Sequence, residues 1–138
     1  MTILIGTNVI LDYVLKREPH AKAAKDCLDT LVSQKAKIWL HSNALMEIYY
    51  VTMQTINDTY AARIIISKLL NAFQIISADK ADCLRALELD MPDFEYAIMA
   101  TCAKRLKAAY IITRNCDDFY NSPVMAITPE DWVNTNGR

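Results

Sequence analysis

The sequence is poor in glycine, in histidine and in long apolar runs, and each shortage excludes a class of protein. Its 138 residues contain two glycines, Gly6 and Gly137, and two histidines. A phosphate-binding loop needs several closely spaced glycines and usually a lysine, so such a loop is excluded. The apolar runs fall short of the roughly 18 residues that a membrane-spanning helix requires. The amino terminus lacks the basic stretch and cleavage site of a signal peptide, and we expect a cytoplasmic protein.

Neither the cysteines nor the net charge indicates a zinc ion or a nucleic acid as a ligand. The four cysteines form no CxxC pair and have no histidine at zinc-ligand spacing, which argues against a zinc site. Cys27, Cys83 and Cys102 occupy apolar positions of predicted helices and are expected to be buried. The formal net charge is −1, so the overall field does not attract nucleic acid. Any RNA contact must come from local groups such as Arg114 or the basic stretch 104–107, which is also typical of a solvated helix face.

Short apolar runs alternate with longer helical patterns along the chain. Strands are predicted for residues 2–5, 38–40, 73–76, 110–113 and 124–127, and helices for residues 8–17, 20–34, 43–55, 58–72, 79–89 and 94–107. This alternation predicts one α/β domain over residues 1–138, a doubly wound, mostly parallel sheet of about five strands with helices on both faces. In such a sheet, functional sites form outside the carboxyl ends of the strands.

Several polar residues lie near these strand ends. Glu47 falls on or beside the apolar face of its helix, where a carboxylate needs either a metal ion or a cationic partner; position alone leaves both open. The loop after the fourth strand contains Asn115, Asp117 and Asp118, which are suitable ligands for a divalent ion and also typical of an ordinary turn. Asp93 precedes a helix and suits an N-cap.

Other polar residues have simple structural explanations. Asp12 lies four residues before Lys16, which predicts an exposed ion pair on a helix. Asn8 either caps the first helix or contacts a bound ion. Ser42 and Asp58 are predicted N-caps of the helices that follow them.

Four segments in this order resemble the PIN-domain ribonucleases, including the VapC-type toxins of toxin–antitoxin pairs. Residues 1–17 are similar to the opening strand and helix of that family, Ser42–Tyr50 to its second motif, Asp93–Ala100 to its third and Tyr110–Phe119 to its fourth. The resemblance implies an endoribonuclease that depends on Mg²⁺ or Mn²⁺ and acts on RNA. It also implies a small antitoxin protein as a partner, and a homodimer.

The resemblance places catalytic and metal-binding acids at Glu47, Asp93 and Asp118, with possible support from Asn8, Asn115 and Asp117. Two positions depart from the family, because Gly6 and Tyr96 occupy places where it has acids. Hard cations lose affinity as ligand charge falls, so impaired activity is expected. Three explanations stay open: a non-catalytic module that binds RNA or protein, a weak site in which Asp93 replaces the acid missing at position 96, and a Gly6 substitution acquired during cloning.

Overall fold

The computed structural model describes residues 1–137. Five strands form its sheet: β1 (Thr2–Ile5), β2 (Lys37–His41), β3 (Gln74–Ile76), β4 (Tyr110–Ile112) and β5 (Ala126–Ile127). Seven helices surround the sheet: α1 (Thr7–Val14), α2 (Ala21–Ser33), α3 (Ser42–Ile56), α4 (Thr59–Ala72), α5 (Lys80–Glu88), α6 (Phe94–Arg105) and α7 (Pro129–Asn136). A 3₁₀ turn, Cys116–Phe119, follows β4.

The sheet is parallel throughout, with the strand order β3-β2-β1-β4-β5. The predicted doubly wound α/β fold is therefore confirmed, and most element boundaries lie within two residues of the predicted ones. Helix α1 ends earlier than predicted, at Val14, because Lys16 has the left-handed backbone angle φ 53° that a helix cannot contain. Strand β5 is also shorter than predicted and begins at Ala126.

Strand β1 lies at the centre of the sheet and divides the core into two layers. The side chains of Ile3, Leu4 and Ile5 are fully buried, and removing each from water contributes about 2 kcal/mol. Ile3 and Ile5 pack with residues from helices α1, α2, α3 and α7. Leu4 points the other way and packs with residues from α5 and α6. Alternation along one strand therefore explains why helices cover both faces.

An ion pair between a buried carboxylate and a partly exposed arginine joins the two helices of the second layer. The carboxylate of Asp82 has no exposed surface and accepts hydrogen bonds from Nε and Nη2 of Arg105, at 3.1 and 2.8 Å. The guanidinium of Arg105 lowers the pKa of that carboxyl. Arg105 is therefore held by Asp82, and the exposed cations of the basic stretch 104–107 are Lys104 and Lys107.

The N-cap of helix α3 differs from the prediction. His41, rather than Ser42, is the cap, and its Nδ1 accepts a hydrogen bond from the backbone N–H of Asn43 at 3.2 Å. Asp58 and Asp93 cap α4 and α6 as predicted. Burial lowers the pKa of His41, with Asp82 and Arg105 nearby acting in opposite directions. The neutral ring therefore fixes the start of the helix that carries Glu47.

Two of the three cysteines expected to be buried are buried. Cys27 and Cys102 have no exposed surface, whereas Cys83 is half-buried. Burial raises the pKa of Cys27 to about 12, so this thiol stays protonated at neutral pH. Among the helices of residues 1–137, none combines the length and the apolar character needed to cross a membrane.

We predict that protonation of His41 destabilises the fold. The pKa of His41 in the folded protein lies below the usual value of about 6.5. The neutral ring therefore contributes stability above about pH 6.5, and the protein loses this stability as the pH falls through the folded pKa. Protonated Nδ1 cannot accept from Asn43, so the cap is lost. Urea unfolding between pH 7.5 and 5 should show a decrease of up to about 1.4 kcal/mol per pH unit from this residue.

The control variant is His41→Asn, because asparagine is a good N-cap and does not titrate. The variant should lose less stability than the parent over the same pH range. An identical pH dependence in the two proteins would contradict the assignment.

Candidate functional site

A pocket of about 360 Å³ opens at the carboxyl ends of β1 and β4. Three chain segments that the sheet brings together form most of its wall: the turn from β1 into α1, the first turns of α6, and the loop after β4. Helix α3 contributes one residue. The lining residues are Gly6, Thr7, Asn8, Glu47, Glu95, Tyr96, Met99, Thr113, Asn115 and Phe119.

A second, smaller space of about 40 Å³ shares one wall with this pocket. Glu47 and Glu95 line both, so the acidic part of the site lies between α3 and α6. This space is large enough for a single water molecule. The buried side of His41 also lines it.

The prediction that Glu47 needs a cationic partner is wrong, while its role as a metal ligand stays a prediction. Glu47 is exposed, and the ion pairs found among residues 1–137 include no cation for it. The buried positions of α3 are Ala44, Ile48 and Thr52, and Glu47 lies at the edge of that stripe. An exposed carboxylate stays hydrated, so it needs neither an arginine nor a metal ion for stability.

Position 6 is open at the end of β1. Gly6 has φ −73° and ψ 152°, an extended conformation that any residue adopts. A Cβ added there would lie 3.3 Å from the carbonyl oxygen of Ile112 and 3.5 Å from Cβ of Thr113. The first contact is tight and needs an adjustment of a few tenths of an ångström. Neither the backbone angles nor a severe clash therefore requires glycine at this position.

Position 96 holds a well-packed aromatic ring. The ring of Tyr96 meets that of Phe119 edge to face, with centroids 5.1 Å apart and planes at 72°. This geometry is favourable for aromatic pairs. Burial raises the pKa of Tyr96, and the nearby negative charge of Asp118 raises it further. Tyr96 is therefore neutral at pH 7, and it contributes no negative charge to the pocket that it lines.

The other predicted acids lie outside the pocket wall. Asp93 is the N-cap of α6, and its Oδ1 accepts from the backbone N–H of Tyr96 at 3.2 Å. Asp117 and Asp118 are exposed residues of the 3₁₀ turn, and Asp118 is close enough to Tyr96 for its charge to affect that phenol. Of the predicted supporting residues, Asn8 and Asn115 line the pocket.

Sequence reasoning missed Glu95. This residue lies in the first turn of α6, is exposed, and lines both spaces together with Glu47. The sequence signal for Glu95 was its position four residues before Met99, which places the two side chains on the same face of α6. The prediction concentrated on Asp93 and on position 96 and gave Glu95 no role.

The side chains that line the pocket do not form the cluster of acids that a divalent metal ion requires. Within residues 1–137, no three His, Cys, Asp or Glu side chains converge at metal-binding distance. The pocket has two carboxylates, Glu47 and Glu95, and its other oxygen donors are hydroxyl and amide groups. Asp at positions 6 and 96 would add two negative charges, and hard cations depend on such charge.

The predicted pairing of Asp12 with Lys16 is wrong. Asp12 is 1% exposed, and two arginines neutralise it. Nε of Arg17 lies 2.8 Å from Oδ1, and Nε of Arg114 lies 2.7 Å from Oδ2. The early end of α1 turns Lys16 away, which allows Arg17 to reach Asp12. The contact with Arg114 attaches the loop after β4 to α1.

The comparisons with known proteins agree on the fold. VapBC2 from Rickettsia felis, bound to a DNA fragment from its promoter, superposes with a TM-score of 0.70 at 17% identity over 93% of this chain and 98% of that one. A toxin–antitoxin complex from Klebsiella pneumoniae superposes with a TM-score of 0.67 at 23% identity, over 92% of this chain and 97% of that one. FitAcB from Neisseria gonorrhoeae superposes with a TM-score of 0.70 at 18% identity, over 92% of this chain and 97% of that one.

Sequence comparison supplies the family. A search of curated protein sequences gives no match. Residues 2–117, which are most of the chain, match the model of the PIN domain. The fold, the order of the motifs along the chain and the pocket at the carboxyl ends of the strands all agree with that match, and the chain belongs to the PIN domain family.

Proposed function

We propose that this chain is a toxin-type PIN protein whose RNA-cleaving site is impaired in this sequence. The observation that supports this most directly is the pocket at the carboxyl ends of the strands, where Gly6 and Tyr96 occupy two positions at which the family has acids. The neighbouring structures, which include toxin–antitoxin complexes, support the toxin type.

The charge in the pocket explains the impairment. Glu47 and Glu95 are both acidic, and an RNA phosphodiester is an anion, so the three groups repel one another when no cation lies between them. Nuclease sites of this class place a divalent cation there, where it activates water and neutralises charge on the phosphate. With two acids missing, the pocket lacks the negative charge that would hold such a cation tightly.

The second candidate function is a non-catalytic module that binds RNA or protein. The packing of Tyr96 against Phe119 favours it, because a well-fitted ring at an acid position is the result expected of native divergence. At Gly6, in contrast, a larger residue needs only an adjustment of a few tenths of an ångström. The two positions therefore distinguish the explanations, and restoring each acid separately tests them.

We predict that the variants Gly6→Asp and Tyr96→Asp recover RNA cleavage. If position 6 is the main defect, Gly6→Asp alone should raise the rate at least about tenfold in Mn²⁺ or Mg²⁺, the size of effect typical of groups that support a metal site. If both positions matter, only the double variant should be active. The measurement is cleavage of a labelled single-stranded RNA.

The matched controls are Gly6→Asn and Tyr96→Asn, which have the same shape without the charge. They should remain at the rate of the parent protein. A folded double Asp variant that cleaves no faster than the double Asn variant would refute the proposed nuclease site and leave the non-catalytic function.

An antitoxin partner has a suitable surface that shares no lining residue with the pocket. A groove of about 800 Å³ runs between α1, α2 and α4. Its apolar wall includes Tyr13, Val14, Leu28, Val32, Ile65, Leu69 and Phe73. Four lysines line it against two acids: Lys16, Lys22, Lys25 and Lys68 against Glu18 and Asp29. An apolar floor with a net positive border suits an amphipathic antitoxin segment that carries acidic side chains.

We predict that Val32→Asp and Lys68→Glu, in the groove, weaken binding to the antitoxin. Val32 is 65% exposed, so the substitution should not disturb the core. The probe is a synthetic amphipathic helical peptide with an acidic polar face, and its binding to each variant is measured by fluorescence anisotropy.

The control is Leu84→Asp, an exposed residue of α5 outside the groove, which should bind as the parent does. Equal affinity of the peptide for all variants would show that the groove is not its docking surface.

A further inference from the structure

Two arginines share one buried carboxylate beside the pocket, and the proposed cleavage chemistry leaves them without a role. We call Arg17 and Arg114 together the arginine pair. Asp12 is 1% exposed and neutralises one positive charge, so the three side chains carry a net charge of +1. One arginine would be enough to neutralise Asp12. The second is in excess.

The arginine pair retains hydrogen-bond donors. Nη2 of Arg17 donates to Oδ1 of Asn8 at 3.2 Å, while its Nε binds Asp12. Nε of Arg114 is close to Asp12 at 2.7 Å but is not aligned for a hydrogen bond, and its Nη2 makes only a long contact of 3.4 Å. The side chains are 33% and 28% exposed. Both side chains are thus anchored at Asp12 and partly exposed.

The arginine pair lies at the edge of the pocket. Asn8, which accepts from Arg17, is part of the pocket wall, and so is Asn115, the residue after Arg114. Asn115 is held in turn, because its backbone N–H donates to Oγ1 of Thr113 at 3.1 Å. A polymer that enters the pocket therefore passes next to this positive charge.

We propose that the arginine pair binds a phosphodiester of single-stranded RNA, one that flanks the bond lying in the pocket. This inference rests on RNA as the substrate in the proposed function. A guanidinium presents two parallel N–H groups that match phosphate oxygens, and a fixed guanidinium loses little entropy on binding. The net positive charge also offsets the repulsion that Glu47 and Glu95 exert on the chain.

The test uses Arg17→Gln and Arg114→Gln in the full chain. Each variant leaves Asp12 one arginine, so the buried carboxylate remains paired and the fold should persist, which circular dichroism checks. Binding of a labelled single-stranded RNA is measured by fluorescence anisotropy in EDTA at several salt concentrations. Each variant should bind about fivefold more weakly at 0.1 M salt, and the salt dependence should decrease by about 0.7 in log–log slope, the value for one phosphate contact.

Arg63→Gln is the control, because Arg63 is an exposed arginine of α4 that lines neither the pocket nor the groove. It should bind RNA as the parent does. Unchanged affinity and slope in both folded arginine variants would overturn the inference. Arginine variants that lose binding to inorganic phosphate, at constant ionic strength, but bind RNA as the parent does would also overturn it.

These outcomes are independent of those for the proposed nuclease site. Loss of RNA binding in the arginine variants, together with no cleavage by the double Asp variant, would support the arginine pair and reject the nuclease. Cleavage by the double Asp variant, with unchanged RNA binding in the arginine variants, would support the nuclease and reject the arginine pair. If the parent protein binds no RNA, both proposals fail.

Discussion

Parallel pairing of β1 with β2 and β4 is the constraint on which the rest of the structure depends. Backbone hydrogen bonds align the three strands, so the residues that follow them meet at one edge of the sheet. The N–H of Gly6 continues this ladder by donating to the carbonyl of Ile112 at 2.8 Å. Burial of β1 on both faces holds the strand in its register, since a shift of one residue would exchange the two core layers.

The same alignment brings the two departures from the family into one pocket. Position 6 follows β1, and position 96 lies in the first turn of α6, so the sheet and the helix bring both to one pocket. A carboxylate at either place would face Glu47 and Glu95, and their mutual repulsion would favour a bound cation. Without those charges the pocket is less suited to a metal ion.

Local sequence patterns predicted the fold and the edge of the sheet at which the candidate pocket lies. The strand at residues 2–5 was predicted with its observed bounds, and the motifs at Glu47 and Tyr96 do meet in one pocket. Patterns failed where long-range contacts decide the outcome. Arg114 reaches Asp12 across 102 positions, which no helical spacing indicates. The exposure of Glu47 depends on where α3 lies relative to α6, and hydrophobic periodicity does not define that.

In our proposal, missing charge at positions 6 and 96 leaves the pocket without a strong metal site. Isothermal titration with Mn²⁺ compares the parent protein with the double variant Gly6→Asp, Tyr96→Asp. We expect weak or undetectable binding to the parent and clear one-site binding to the double variant. Tight binding of Mn²⁺ to the parent, unchanged in the double variant, would contradict it.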